Sequence, residues 1–210
     1  MGFEKRFEVH AHTHFSNIRL LDCINRPKDL VNRAIELGLA GLTISDHECI
    51  SSHIELNQYH QELLKEHPDF KLALGNEIYL CANRDMGQKY YHFILIAKNT
   101  QGHRAIRELS SRAWLNSYWD RGMERVVTTY EDLAEIIQKY PNSVIATTAC
   151  LGGELSSTLM NLNMAEATFN TGEAQKEHEH VVSFMLFCIA YKWHISCIKV
   201  AIIWFIGLSR

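Results

Sequence analysis

Several features common in proteins of this size are missing from this 210-residue chain. Its six cysteines, Cys23, Cys49, Cys81, Cys150, Cys188 and Cys197, include no C-x-x-C pair, so no paired-thiol motif organises it. No signal peptide precedes them, and we expect a reducing cytoplasm with thiols free or, in one case, bound to metal. There is no basic excess. Twenty-one Lys and Arg face 24 Asp and Glu, and the net charge is -3. That excludes the global basic field that drives non-specific nucleic-acid binding, so a nucleic-acid role has to rest on a local surface or on other domains. No apolar run is long enough for a membrane span, including the one after Lys199. Internal repeats and low-complexity linkers are absent too. What is left is one ordinary domain, or a large part of one, with enough apolar residues to bury a core.

Apolar runs and helical patterns alternate along the chain. Residues 7–12 read as a short strand. Pro27 opens a helix with Leu30, Val31, Ala34 and Ile35 on one face, and Gly38 ends it. A strand over 42–45 leads to Asp46-His47, and a helix over 52–65 follows. A strand over 70–74 runs into Gly75-Asn76-Glu77, and another covers 91–97. A long helix is predicted over 100–119. Thr129-x-x-Asp132 has the capping-box pattern ahead of Leu133, Ile136 and Ile137. The strand over 143–148 ends beside Cys150 and Gly152-Gly153. Parallel strands covered by helices account for this order, as an α/β barrel or a doubly wound sheet.

Twelve histidines are many for this length, and His10, His12 and His14 crowd one five-residue window. In a strand, side chains two apart share a face, so His10 and His12 can grip one cation. The competing reading is a pair of surface histidines on an edge strand. Asp22 follows in a loop and is either a further carboxylate ligand or a turn residue. Asp46-His47 offers a ligand in His47, with Asp46 as a helix N-cap. Glu77 is either a carboxylate that bridges two cations or a solvated loop residue. His92 opens an apolar strand, as a ligand or as a satisfied core histidine. Cys150 is a ligand or a buried structural thiol. His53, His60, His67 and His103 are assigned to the surface, as is the second H-x-H, His178-Glu179-His180. Such mixed ligands suit zinc, manganese or iron, and several close cations suit phosphoester cleavage.

As a set these residues resemble a known family. His10-Ala11-His12-Thr13-His14-Phe15-Ser16 followed by Leu20-Leu21-Asp22 is similar to the HxHTxxS…LLDG opening of PHP (polymerase and histidinol phosphatase) domains. Asp46-His47, Gly75-Asn76-Glu77-Ile78 and the segment 148–154 resemble the later motifs in order. Residues 92–99, Gly102 and 107–111 are similar to the PHP domain at the N-terminus of bacterial DNA polymerase III alpha subunits. The matches cover roughly residues 7–187, which we take as a partial PHP domain over 1–187. The tail over 188–210 does not resemble the family, and it reads as a truncated or out-of-frame end.

The resemblance implies a distorted, TIM-barrel-like (βα)7 fold, incomplete at the C-terminus, with up to three metals (Mn²⁺ or Zn²⁺, or Fe²⁺) at strand ends. It implies His10, His12, Asp22, His47, Glu77, His92 and Cys150 as ligands, with Glu77 bridging and Glu77 and His47 carrying the chemistry. That chemistry is metal-dependent 3′–5′ exonuclease hydrolysis, or none in a structural platform. DNA and the rest of a polymerase holoenzyme are the implied partners, with no membrane. A stand-alone phosphatase of the histidinol-phosphate type is the alternative. The family's late Asp-x-His motif has no counterpart here, and the loop before Asp22 is longer than usual. Nothing in the chain corresponds to a polymerase palm, fingers or thumb.

Overall fold

The structure is a computed structural model describing residues 6–19, 21, 23–158 and 160. Strand β1 (Phe7–Ala11) leads through a 3-10 turn (His14–Ile18) to helix α1 (Pro27–Glu36). Then come β2 (Gly41–Ile44), α2 (His53–Leu63), β3 (Lys71–Cys81) and β4 (Tyr90–Ala97). They are followed by α3 (Thr100–Leu115), a hairpin of β5 (Tyr118–Asp120) and β6 (Met123–Arg125), β7 (Thr128–Thr129), α4 (Tyr130–Lys139) and β8 (Val144–Thr148). The main sheet has the order β1-β2-β3-β4-β8, with β7 against β3. The β1–β2, β2–β3 and β3–β7 pairs are parallel, as the alternating pattern predicts. The chain divides into two compact units, residues 1–90 with 94–145, and residues 91–93 with 146–210.

In the first unit, α1 and α2 lay Val31, Ala34, Leu56 and Leu63 over Leu42, Ile44 and Phe70 of the sheet side. All four residues of β2 are buried, which is why it reads as a continuous apolar run. Each fully buried Leu or Ile here contributes about 1.5–3 kcal/mol. Pro27 opens α1, and Gly38 follows its end in the left-handed region at φ 70°, both as predicted. The capping box of α4 is present in full. Thr129 Oγ1 accepts from the Asp132 N–H, and Asp132 accepts from the Thr129 N–H. Asp132 also pairs with Arg84 and with Arg112, and the Arg112 pair ties α3 to α4.

Two elements differ from expectation. The strand predicted to stop before Gly75 continues to Cys81. A Cβ at position 75 would lie 2.8 Å from the Leu95 carbonyl oxygen, so this glycine marks close approach of β4 and not a strand end. The helix predicted to reach 119 stops at Leu115, and residues 118–125 form the hairpin. Its turn, Arg121-Gly122, has φ of 51° and 77°, the sense that matches strand twist. The apolar residues through Trp119 keep a helix-compatible pattern, which hides this switch.

His53, read from sequence as a surface residue, is 3% exposed at the start of α2. Its Nε2–H donates to the Gly75 carbonyl at 2.9 Å, so its Nδ1 is the lone pair that accepts from His103 Nε2–H at 3.1 Å. Burial, and then the neighbouring His103, push the imidazolium of His53 down to about 4, against the pull of the Gly75 carbonyl and Asp46. The sign follows directly. The group is neutral when folded and titrates near 6.5 when unfolded, so its contribution is complete above pH 6.5 and is lost as pH falls towards 4. The loss is on the order of 3 kcal/mol. Urea unfolding in EDTA at pH 7 and pH 4 should show this loss in the wild type and a flatter profile in His53→Gln. Parallel profiles would refute it.

Among the described residues no helix is long and apolar enough to cross a membrane.

Candidate metal centre

The centre of the first unit forms where β2 is too short to cover β3. The β2–β3 ladder ends at Ile44 and Leu74. Three residues on, Glu77 emerges from β3 with its side chain 1% exposed. The chain after β2 rejoins it there. Glu77 N–H donates to the Asp46 carbonyl at 3.1 Å and Glu48 N–H to the Glu77 carbonyl at 2.8 Å, making His47 and Glu77 a single parallel bridge pair. Glu77 is therefore a buried mid-strand residue, and the loop alternative for it is excluded.

β1 delivers the two imidazoles. Its register with β2 shifts between Glu8 and Ala11, the irregularity that re-aims side chains near a site. His10 Nε2 and His12 Nε2 lie 2.7 Å apart, and 2.7 and 3.0 Å respectively from Glu77 Oε2. His47 stacks on His12 with centroids 4.4 Å apart, its Nδ1 3.8 Å from Glu77 Oε1.

A buried carboxylate decides which atoms these histidines present. Asp46 accepts from Thr13 N–H (2.6 Å), Thr13 Oγ1–H (2.8 Å), Ser16 Oγ–H (2.9 Å) and Ser52 Oγ–H (2.8 Å). It is not the N-cap of α2 that its position suggested; it holds the 3-10 turn, the β2 end and the start of α2 together. Ser16 has one hydroxyl proton, and Asp46 takes it. Towards His12 Nδ1, at 3.1 Å, the hydroxyl can then only accept, so Nδ1 carries the proton. In the neutral ring His12 Nε2 is then the lone pair, 3.0 Å from Glu77 Oε2. Ser16 Oγ also accepts the His47 N–H at 3.1 Å. Sequence reasoning gave Thr13 and Ser16 no role of their own; the fixed spacing HxHTxxS was the available signal.

The donor set fits a divalent cation. Two imidazole nitrogens and a carboxylate oxygen converge within 3.0 Å of one another. A cation satisfies all three, and these are ligand types that zinc and manganese accept.

Beside this set lies Glu48, which sequence reasoning also missed. It is wholly buried, in the left-handed region at φ 49°. Its carboxyl accepts the Tyr79 N–H, and its carbonyl accepts Trp114 Nε1–H at 2.7 Å. Burial pushes the carboxyl up to about 8, with the Tyr79 N–H and Arg19 pulling against it.

In the second unit, His92 and Cys150 come together. His92 Nδ1 is 3.8 Å from Cys150 Sγ, and Gly152 N–H donates to the same sulfur at 3.3 Å. Cys150 is exposed just past β8, so it is not the buried structural thiol of the alternative reading. Asp22, His178-Glu179-His180 and the tail lie outside the described residues.

Parallel strands packed with helices, and a His/Glu cluster gathered at the end of β1 and on β3, define a mixed α/β protein with a donor set that suits a divalent metal. The sequence matches the PHP domain over residues 8–190, and the chain belongs to that family. It is 40% identical over 194 residues to the DNA-directed DNA polymerase of Bacillus phage SPbeta, covering 86% of this chain and 15% of the relative. It is 29% identical over 160 residues to the DNA polymerase III alpha subunit of Borreliella burgdorferi, covering 73% and 13%. The chain thus spans about an eighth to a seventh of the length of these curated relatives. Among solved structures, it is similar to a metal-dependent phosphoesterase from Bifidobacterium adolescentis, with 20% identity and a TM-score of 0.36, over 67% of this chain and 52% of the other. An amidohydrolase from Chromobacterium violaceum gives 12% identity and a TM-score of 0.46 over 90% and 84%.

Proposed function

We propose that this chain is the N-terminal PHP portion of a polymerase of the DNA polymerase III alpha type, and that it hydrolyses phosphoesters at the 3′ end of DNA in a metal-dependent reaction. The observation that carries this reading is the convergence of His10 Nε2, His12 Nε2 and Glu77 Oε2 within 3.0 Å, in a chain related to polymerases. In this reading the full domain is a distorted (βα)7 barrel working in the cytoplasm, with DNA and the remainder of the polymerase as partners. His10, His12, His47 and Glu77 would hold the metal, with Glu77 shared between ions and Asp22, His92 and Cys150 as the further ligands of up to three ions. Bound Mn²⁺, Zn²⁺ or Fe²⁺ supplies Lewis-acid polarisation of the phosphoester. The chain's own part is preparation. Ser16 and Asp46 place the lone pair of the neutral His12 ring on Nε2, and burial keeps Glu77 away from competing water.

The test is release of nucleotides from a 3′-labelled single-stranded oligonucleotide by the purified chain with Mn²⁺ or Zn²⁺, beside a panel of small phosphomonoesters including histidinol phosphate. We expect 3′ nucleotide release that EDTA stops. Turnover of monoesters without DNA cleavage would transfer the chain to the phosphatase class. Metal binding with no turnover of either would make it a structural module. Absence of metal in elemental analysis would remove the centre altogether.

A further inference from the structure

We propose that Glu48 is a positioning residue for the metal centre, and that its side chain completes the strand ladder which holds Glu77 and His47 in register. The proposal rests on the metal-centre reading above and adds a residue that touches neither metal nor substrate.

The ladder shows what Glu48 replaces. Past the end of β2, the parallel pattern resumes for one bridge, with Glu77 N–H to Asp46 O and Glu48 N–H to Glu77 O. Continued regularly, the next bond would run from Tyr79 N–H to the carbonyl of residue 48. That carbonyl is turned away and accepts Trp114 Nε1–H from α3. The Glu48 carboxyl takes the Tyr79 N–H in its place. Two residues further, β7 takes over, pairing Thr128 with Leu80 and Thr129 with Cys81. The stretch of β3 carrying Glu77 is therefore held on this side by the 46–48 segment, and its last bond is made by a side chain.

The backbone at Glu48 supports the same conclusion. A non-glycine residue at φ 49° is strained, and glycine would adopt that angle freely. Glycine has no side-chain acceptor to give the Tyr79 N–H, so the bond that Glu48 makes would be lost. A carboxyl at this position does what the unstrained residue cannot. Its reach matters for the centre because Tyr79 is two residues from Glu77 on β3, and its ring lies 5.6 Å from that of His47.

The experiment compares the wild type with Glu48→Gly and Glu48→Gln. Glutamine keeps an oxygen acceptor of the same reach. Mn²⁺ affinity is read by calorimetry on chains shown to be folded by circular dichroism, and amide exchange at Tyr79 is read separately in EDTA. We expect Glu48→Gly to bind Mn²⁺ about 10- to 100-fold more weakly, the range for outer-shell partners of metal ligands, and its Tyr79 amide to exchange faster. Glu48→Gln should restore both. Equal Mn²⁺ affinity in wild type and Glu48→Gly overturns the proposal alone. So does a glutamine variant as weak as the glycine variant. If Glu48→Gly fails to fold, the glutamine variant and its Tyr79 exchange decide, and rapid exchange there refutes the ladder. A wild type that binds no Mn²⁺ overturns this proposal and the metal centre together.

Discussion

Glu77→Gln should abolish tight divalent-metal binding while leaving the metal-free chain at least as stable as the wild type. The substitution keeps the size and shape of a side chain that is 1% exposed, so it opens no cavity. It removes the one negative charge that meets both His10 Nε2 and His12 Nε2. Where the His12 ring is neutral, its Nε2 and Glu77 Oε2 face each other at 3.0 Å as two acceptors. An amide nitrogen at that place donates to His12, so the conflict disappears. Metal affinity and metal-free stability therefore move in opposite directions. Loss of an outer-shell partner costs metal affinity about 10- to 100-fold, and a shared carboxylate ligand should exceed the upper end. Thermal melting with Mn²⁺ or Zn²⁺ and with EDTA reads both quantities. The wild type should gain about 2.7 kcal/mol at a metal concentration of roughly 100 times Kd, and Glu77→Gln almost nothing. Equal metal-induced stabilisation of the two proteins would show that Glu77 is no ligand.

Asp46→Ala should cost about 3–5 kcal/mol of folding stability, the range for breaking a buried charged network. Four donors lose their acceptor together: the Thr13 N–H and hydroxyl, and the hydroxyls of Ser16 and Ser52. Thr13, Ser16 and Ser52 are all fully buried, so none of them finds bulk water instead. The same change releases the Ser16 proton, which can then turn to His12 Nδ1 and leave the wrong nitrogen protonated for a metal. Metal affinity should therefore fall along with stability, and Asp46→Asn should lie between wild type and alanine in both. Urea unfolding is the measurement for stability. A loss below about 1 kcal/mol would mean that Asp46 is an ordinary polar neighbour.

Parts of this site were legible in one dimension because they depend on local periodicity. His10-x-His12 needs only a strand to bring both imidazoles to one face, and Thr129-x-x-Asp132 needs only a helix start. Glu77 was found as a residue type but placed in the wrong setting, because Gly75 reads as a strand stop when its real partner, the Leu95 carbonyl, is 20 residues away. His53 was taken for a surface residue since a helix start is usually exposed. Its burial depends on the Gly75 carbonyl and on His103 from another helix.

The sequence by itself determined the PHP motif set, the alternation of apolar strands with helices, and the ligand types that converge on a cation. These follow from spacing and composition, which a chain carries with it. The tertiary structure alone decided which atoms meet and which tautomer of His12 they favour. Asp46 became the organiser of the centre instead of a helix cap, Ser16 selected the tautomer of His12, and Glu48 became the last rung of the β3 ladder. Each outcome depends on the short β2 ending three residues before His47 pairs with Glu77 of β3, a meeting of distant segments that no local pattern encodes.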